Sequence, residues 1–194
     1  MKALVLEREA IRRNAAVIKE KAGAAAIYAV LTGDAHGAGL LEMAKLLREE
    51  GIGRFAVSEP SDAAALRKAG FVDEEILMLR STTDREELEQ LIDLNAVCTI
   101  GSYDTGVALN GLAEARSTVV EAHIQVDTGM GYGGFLSGEP DKILPCTATF
   151  PTWPSPASIP RCTPQRAESG ARPPSWRSSS GWWRPSTPPG SRPG

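Results

Sequence analysis

Two glycine-rich segments, 29–39 (AVLTGDAHGAG) and 125–134 (QVDTGMGYGG), hold the residue types best suited to chemistry in this 194-residue chain. Each extends an apolar run and mixes glycines with groups that bind or move protons: Thr32, Asp34 and His36 in the first, Gln125, Asp127, Thr128 and Tyr132 in the second. Glycine lets the backbone turn tightly and approach a ligand, and a helix opening near Leu40 would offer unpaired N–H groups to an anion. Singly, either segment reads as a turn. Metal chemistry is not expected, because Cys98, Cys146 and Cys162 have no ligand spacing and Cys98 sits in an apolar run as a small buried hydrophobe.

The elements that must position these segments recur in order. Apolar runs at 26–31 (AIYAVL), 54–58 (RFAVS), 74–81 (EEILMLRS), 96–102 (AVCTIGS) and 119–127 (VVEAHIQVD) predict strands, with starts spaced by twenty-odd residues. Between them lie amphipathic stretches. In 40–50, Leu40, Leu41, Met43, Ala44 and Leu47 form one apolar stripe; 61–70 predicts a helix capped by Ser61 and ended by Gly70; 85–95 and 103–116 complete the series. Near-continuous apolar strands are buried on both faces, which favours a parallel sheet. Five βα units without a GxGxxG fingerprint predict an α/β fold: a partial parallel (β/α) TIM-type barrel, about five of eight units, with an open doubly wound sheet as the alternative. Functional residues of such a barrel sit at the C-terminal strand ends.

Composition changes class at Pro145. Before it come two Pro, no Trp and 23 of the 24 acidic residues; from it onward come twelve Pro, all four Trp, six Arg, and no Leu, Val or Lys. The domains expected are 1–144 as the barrel part and 145–194 as an irregular Pro/Ser/Arg/Trp-rich tail, disordered because Pro interrupts every run. The net charge of −3 and the sparse basic tail argue against nucleic acid. The charged opening MKALVLEREAIRRN has no signal-peptide core, and no run spans a bilayer, so no membrane partner and a cytoplasmic location are expected.

The two glycine-rich segments resemble motifs of the alanine racemase family. Segment 29–39 is similar to A-V-[VL]-K-A-[ND]-A-Y-G-H-G at Ala29, Val30, Leu31, Asp34, Ala35, Gly37 and Gly39, and segment 125–134 to K-[VI]-D-T-G-M-x-R-x-G. The opening 6–20 resembles the family's first helix and 55–70 its second unit. The resemblance, over about residues 4–144, implies a pyridoxal 5'-phosphate (PLP) dependent amino-acid racemase acting on a small-molecule amino acid. It also implies a homodimer. Alanine and serine racemases share these motifs, and a non-catalytic PLP-binding barrel of the homeostasis type is the alternative.

Four departures bear on activity. Thr32 stands where the family has the lysine that forms the Schiff base, and a hydroxyl cannot form an imine. His36 replaces the tyrosine that reaches the cofactor phosphate. Tyr132 replaces the arginine at the cofactor's phenolic oxygen, and Gln125 the lysine that supports it, a paired exchange. The resemblance puts the opposite-face tyrosine base, the arginine at the pyridine nitrogen and most phosphate ligands further along, in a second half absent here. From Pro145 a shifted reading frame restores a strand and an amphipathic helix of family type; in it, the pair Trp182 and Trp183 yields only Val. A frameshift near codon 145 and an inactive chain are therefore expected.

Overall fold

The first helix, α1 (Arg8–Ala22), is rich in Ala, Glu, Lys and Arg, strong helix formers, yet it buries only Ala15. The computed structural model, which describes residues 4–127 and 129–136, holds this helix through charge. Arg8 pairs with Glu49, and Lys19 donates to the main-chain oxygen of Glu50 at 2.6 Å. Gly23, at φ 57°, ends α1.

Five strands follow in parallel: β1 (Ala29–Val30), β2 (Arg54–Val57), β3 (Glu75–Met78), β4 (Cys98–Ile100) and β5 (Ala122–Ile124). Their order is their chain order. Ala29 lies beside Phe55, Phe55 beside Ile76 and Cys98 beside Ala122, and a parallel bridge from Leu77 to Val97 joins β3 to β4. Each return runs through a helix: α3 (Leu40–Glu49), α4 (Pro60–Lys68), α5 (Arg85–Asp93) and α6 (Tyr103–Ala115). The parallel strands expected of a partial barrel are observed among the described residues.

Strand alternation divides the core in two. Phe55, Val57, Ile76, Met78, Cys98 and Ile100 pack with Leu66, Leu88, Leu91 and Leu109 of the helices, while Ala56, Leu77 and Val97 form a smaller cluster with Tyr28 and Leu79. The helix layer supplies most of the stability, since each large side chain buried contributes about 1.5–3 kcal/mol. Phe55 and Phe71 meet edge to face at 5.6 Å, and the Arg48 guanidinium lies 4.3 Å over the Phe71 ring.

Three expectations need correction. Ser61 does not cap α4: the cap position is Glu59, and Pro60 takes the first turn, where its missing N–H costs nothing. Gly70 does end that helix, at φ 89°, with Phe71 N–H bonded to Leu66 O. The run 26–31 narrows to β1. The run 119–127 is broken at Gln125, whose N–H donates to Ile100 O and whose oxygen accepts from Phe135 N–H. Beyond the break, β6 (Val126–Asp127) pairs in parallel with β7 (Phe135–Leu136), because the glycine turns of 129–134 fold the chain back beside itself.

The expected domain boundary at 144 and the tail 145–194 lie outside the described residues, as does Thr128. Among the described residues, no helix is long and apolar enough to cross a membrane, and no group of His, Cys, Asp and Glu could hold a metal ion.

Candidate functional site

Parallel pairing brings the residues that follow each strand to one end of the sheet, so both glycine-rich segments lie at the same end, the mouth. The first does so through an unusual backbone. In the five-residue segment α2 (Thr32–His36), Gly33, Asp34 and Ala35 have φ of 60°, 56° and 54°, and His36 has 57°. This is one turn of left-handed helix, closed by Ala35 N–H to Leu31 O and Gly37 N–H to Gly33 O. Each non-glycine residue in that conformation costs about 1–2 kcal/mol. Buried Ala35 helps hold the turn, packed in the cluster that contains Leu31 and Leu40.

Asp34 ties the turn to α3: its Oδ1 accepts Leu40 N–H at 2.7 Å, and its main-chain oxygen accepts Gly39 N–H at 2.9 Å. The N–H at Leu40, expected to be open to an anion, is therefore taken by a carboxylate. Thr32, at the head of the turn, is half-buried; His36, at its foot, is exposed.

In the second segment the Asp127 carboxylate organises its own loop. Oδ1 accepts Gly129 N–H at 2.8 Å and Gly131 N–H at 3.1 Å, and these bonds hold the carboxyl below its ordinary range. Tyr132 stands in solvent, 75% exposed. Gln125 is half-buried at the break between β5 and β6.

Beside Gln125 lies a group that sequence reasoning missed. Ser81 Oγ meets Thr105 Oγ1 at 3.0 Å and accepts Gly101 N–H at 3.0 Å, and Ser102 Oγ lies 3.1 Å from Thr105 Oγ1. A Cβ on Gly101 would come within 2.9 Å of Ser81 Cβ and 3.0 Å of Gln125 Oε1, so the strand ends close only around glycine. The available signal was placement: Ser81 and Gly101 each end an apolar run. A second missed group borders the mouth. Arg80 binds both oxygens of Glu87, at 2.8 and 3.0 Å, and reaches Glu59 at 3.4 Å. This pairing raises the guanidinium's pKa and lowers that of Glu87, while burial, then Glu59 and Asp34, raise that of Asp62.

PLP would need an amine for its aldehyde and cationic or N–H groups for its phosphate. Lys19 and Lys21 end α1 and Lys68 ends α4, all at the far end of the strands, and Lys45 is paired with Glu42 on α3. Thus among the described residues no lysine stands at the mouth, and its Arg80 is engaged by two carboxylates. These residues do not fit covalently held PLP. At the opposite end, a cleft lined by Arg67, Asp73, Glu74, Glu75, Asn95 and Glu121 is structural in character. Its Arg67 spends its donors on the carbonyls of Leu94, Phe71, Glu74 and Asn95.

Comparison with known proteins agrees with this architecture. The sequence profile of the family "Alanine racemase, N-terminal domain" matches residues 6–149. The alanine racemase of Carboxydothermus hydrogenoformans is 36% identical over 135 residues, covering 70% of this chain and 36% of that protein. That of Clostridium tetani is 38% identical over 116 residues, covering 60% and 29%. Among solved structures, the alanine racemase of Clostridium difficile 630 superposes with a TM-score of 0.66 at 26% identity, covering 77% of this chain and 38% of that one. The histidine racemase of Leuconostoc mesenteroides gives 0.68 at 26% identity, covering 75% and 39%. The chain thus spans between 29% and 39% of the length of these relatives. With five parallel strands linked by helices, two glycine-rich strand ends at one end of the sheet and a family match over most of its length, this chain belongs to the alanine racemase N-terminal domain family.

Proposed function

We propose that this chain is the N-terminal barrel portion, residues 1–144, of an alanine-racemase-type protein, and that the chain as written does not racemise amino acids. The observation that carries the reading is Thr32 at the end of β1, with no lysine at the mouth among the described residues. Racemisation at Cα needs an electron sink and two bases on opposite faces. PLP supplies the sink when bound. Here the hydroxyl of Thr32 can neither condense with an aldehyde nor accept a proton from carbon near neutral pH.

The remaining polar groups can still orient a small anionic molecule. In this reading the exposed His36 would meet a phosphate, and Gln125, whose Oε1 lies beside Gly101, would offer its amide to a ring oxygen, while the exposed Tyr132 stands on the loop that follows. Small amino acids are the substrate class of the complete relative, and homodimerisation belongs to that complete form. Residues 145–194 are an out-of-frame continuation in this reading.

Incubation with PLP, borohydride reduction and peptide mapping should find no pyridoxyl group within 29–39 or 125–134, and L-alanine should keep its configuration. A reduced adduct in either segment, or D-alanine formed by the purified chain, would overturn the reading. Thr32→Lys alone should create a reducible adduct at position 32 without racemisation, because the opposite-face base is still absent.

A further inference from the structure

The cleft at the foot of the strands, about 430 Å³ in volume, is committed to structure on its Arg67 side only. Its rim carries Val72 and Val119, 67% and 59% exposed, on the loops that lead into β3 and β5. Beside them stand four carboxylates. Glu74 pairs with Arg48 at 3.3 Å and Glu75 with Arg54 at 3.2 Å, whereas the exposed Asp73 and Glu121 form no ion pair among the described residues. Burial, then the charge of Glu121, holds the Glu75 carboxyl above its ordinary range, so a cation seated between these two groups would relieve their repulsion. Exposed valines next to uncompensated carboxylates suit a partner that is apolar and basic at once.

The acidic groups of the mouth offer no such surface. Asp34 holds Leu40 N–H, Asp127 holds its own loop, and Glu59 and Glu87 share Arg80.

The chain itself contains the matching chemistry. Residues 145–194 hold six Arg against Glu168 alone, and 172–184 (RPPSWRSSSGWWR) gathers Arg172, Arg177 and Arg184 with Trp176, Trp182 and Trp183 and no acidic residue. Arg and Trp are the side chains that contribute most at interfaces. Pro173 and Pro174 do not oppose docking, since an extended segment lies along a surface without forming helix or strand. Tethering favours this segment over a separate peptide by raising its effective concentration. About 35 residues part Leu136 from Arg172, a linker of that length spans about 30 Å, and the four residues of β3 cover only about 13 Å from mouth to foot.

We propose that residues 172–184 dock in cis on this cleft, with arginines on Asp73 and Glu121 and a tryptophan against Val72 and Val119. The contact holds whichever reading frame encodes the segment, and it is independent of racemisation.

All four tryptophans lie at 153–183, so tryptophan fluorescence of the full chain reports on this region alone. Two charge reversals test the contact: Asp73→Lys with Glu121→Lys on the cleft, and Arg172→Glu with Arg177→Glu and Arg184→Glu on the segment. Each should leave the far-ultraviolet circular dichroism unchanged, shift the emission to longer wavelength, and raise acrylamide quenching at least about twofold. Amides of 72–74 and 119–121 should exchange at least about tenfold more slowly in the parent than in the segment variant. Combining both reversals should restore the parent's emission and protection, because opposite charges face each other again. The parent signal should be independent of protein concentration and weaken in 1 M salt. Emission unaffected by either reversal, protection absent from the cleft loops, no recovery in the combined variant, or protection that disappears on dilution, as a second copy would give, would each overturn the proposal.

Discussion

At the residue scale, the structure separates what a side chain is from how its backbone is held. Thr32 cannot do the chemistry of a lysine, yet it heads a left-handed turn that keeps Asp34, Ala35 and His36 in a costly conformation. The strain is testable at His36, which is exposed. Replacing it with glycine removes about 1–2 kcal/mol of steric cost and returns up to about 1 kcal/mol as chain entropy, so His36→Gly should stabilise the fold slightly. A urea midpoint lower than the parent's would show that the side chain makes a compensating contact.

His123 gives a pH dependence with a definite sign. Burial, the largest influence, holds its imidazole below 6.5, with Glu121 pulling the other way and Arg54 adding to the depression. Its ring meets Tyr28 edge-on at 6.1 Å. The folded chain therefore takes up the proton later than the unfolded chain does. The stability contributed is fully present above about 6.5 and declines as pH falls through the folded value. Urea midpoints between pH 8 and pH 5 should drop on the acid side, and His123→Gln should flatten that drop. An unchanged slope in the variant would assign the effect elsewhere.

At the element scale, loops and caps rather than helix interiors set the geometry of the mouth. Asp84 accepts Glu87 N–H at 2.9 Å to open α5, and Ser102 accepts Thr105 N–H at 3.2 Å to open α6, so the strand-to-helix turns are fastened from their first residue. The opposite end depends on Arg67. Its guanidinium joins the end of α4 to the carbonyls of Phe71 and Glu74 before β3 and of Leu94 and Asn95 after α5. Arg67→Met should cost about 2–4 kcal/mol by leaving several carbonyls without a donor. Lysine, with one point charge in place of a planar fork, should recover little of the loss. Full recovery by Arg67→Lys would mean that charge, not geometry, is what the site uses.

At the scale of the whole molecule, stability is distributed from the centre outward. Phe55, Ala56 and Val57 of β2 and Ile76 and Met78 of β3 have no exposed surface, and β2 is bonded on both sides. In contrast α1 buries one residue and β7 pairs over two. Amide exchange should be slowest in β2 and β3 and fastest in α1 and β7. Equal protection in α1 and β2 would require a cooperative unit larger than the packing indicates.

Much of this architecture is legible in the residues alone, because alternation of apolar runs with amphipathic stretches is a local property and parallel pairing follows from strands apolar on both faces. The two mouth segments are legible for the same reason: each is contiguous, and the family motif lies within it. What sequence could not supply depends on contacts between distant residues. Ser81 met Thr105, and Gly101 met both Ser81 and Gln125, only when three strand ends converged. The position that looked like a cap in α4 moved from Ser61 to Glu59, because proline fits the first turn. The glycine-rich loop became a left-handed turn whose Asp34 occupies the helix end that seemed free. The loss of the lysine was plain from residue 32 alone. That no other amine reaches the mouth from the described helices was decided only by tertiary structure, which sends the C-terminal ends of α1 and α4 to the opposite end of the strands.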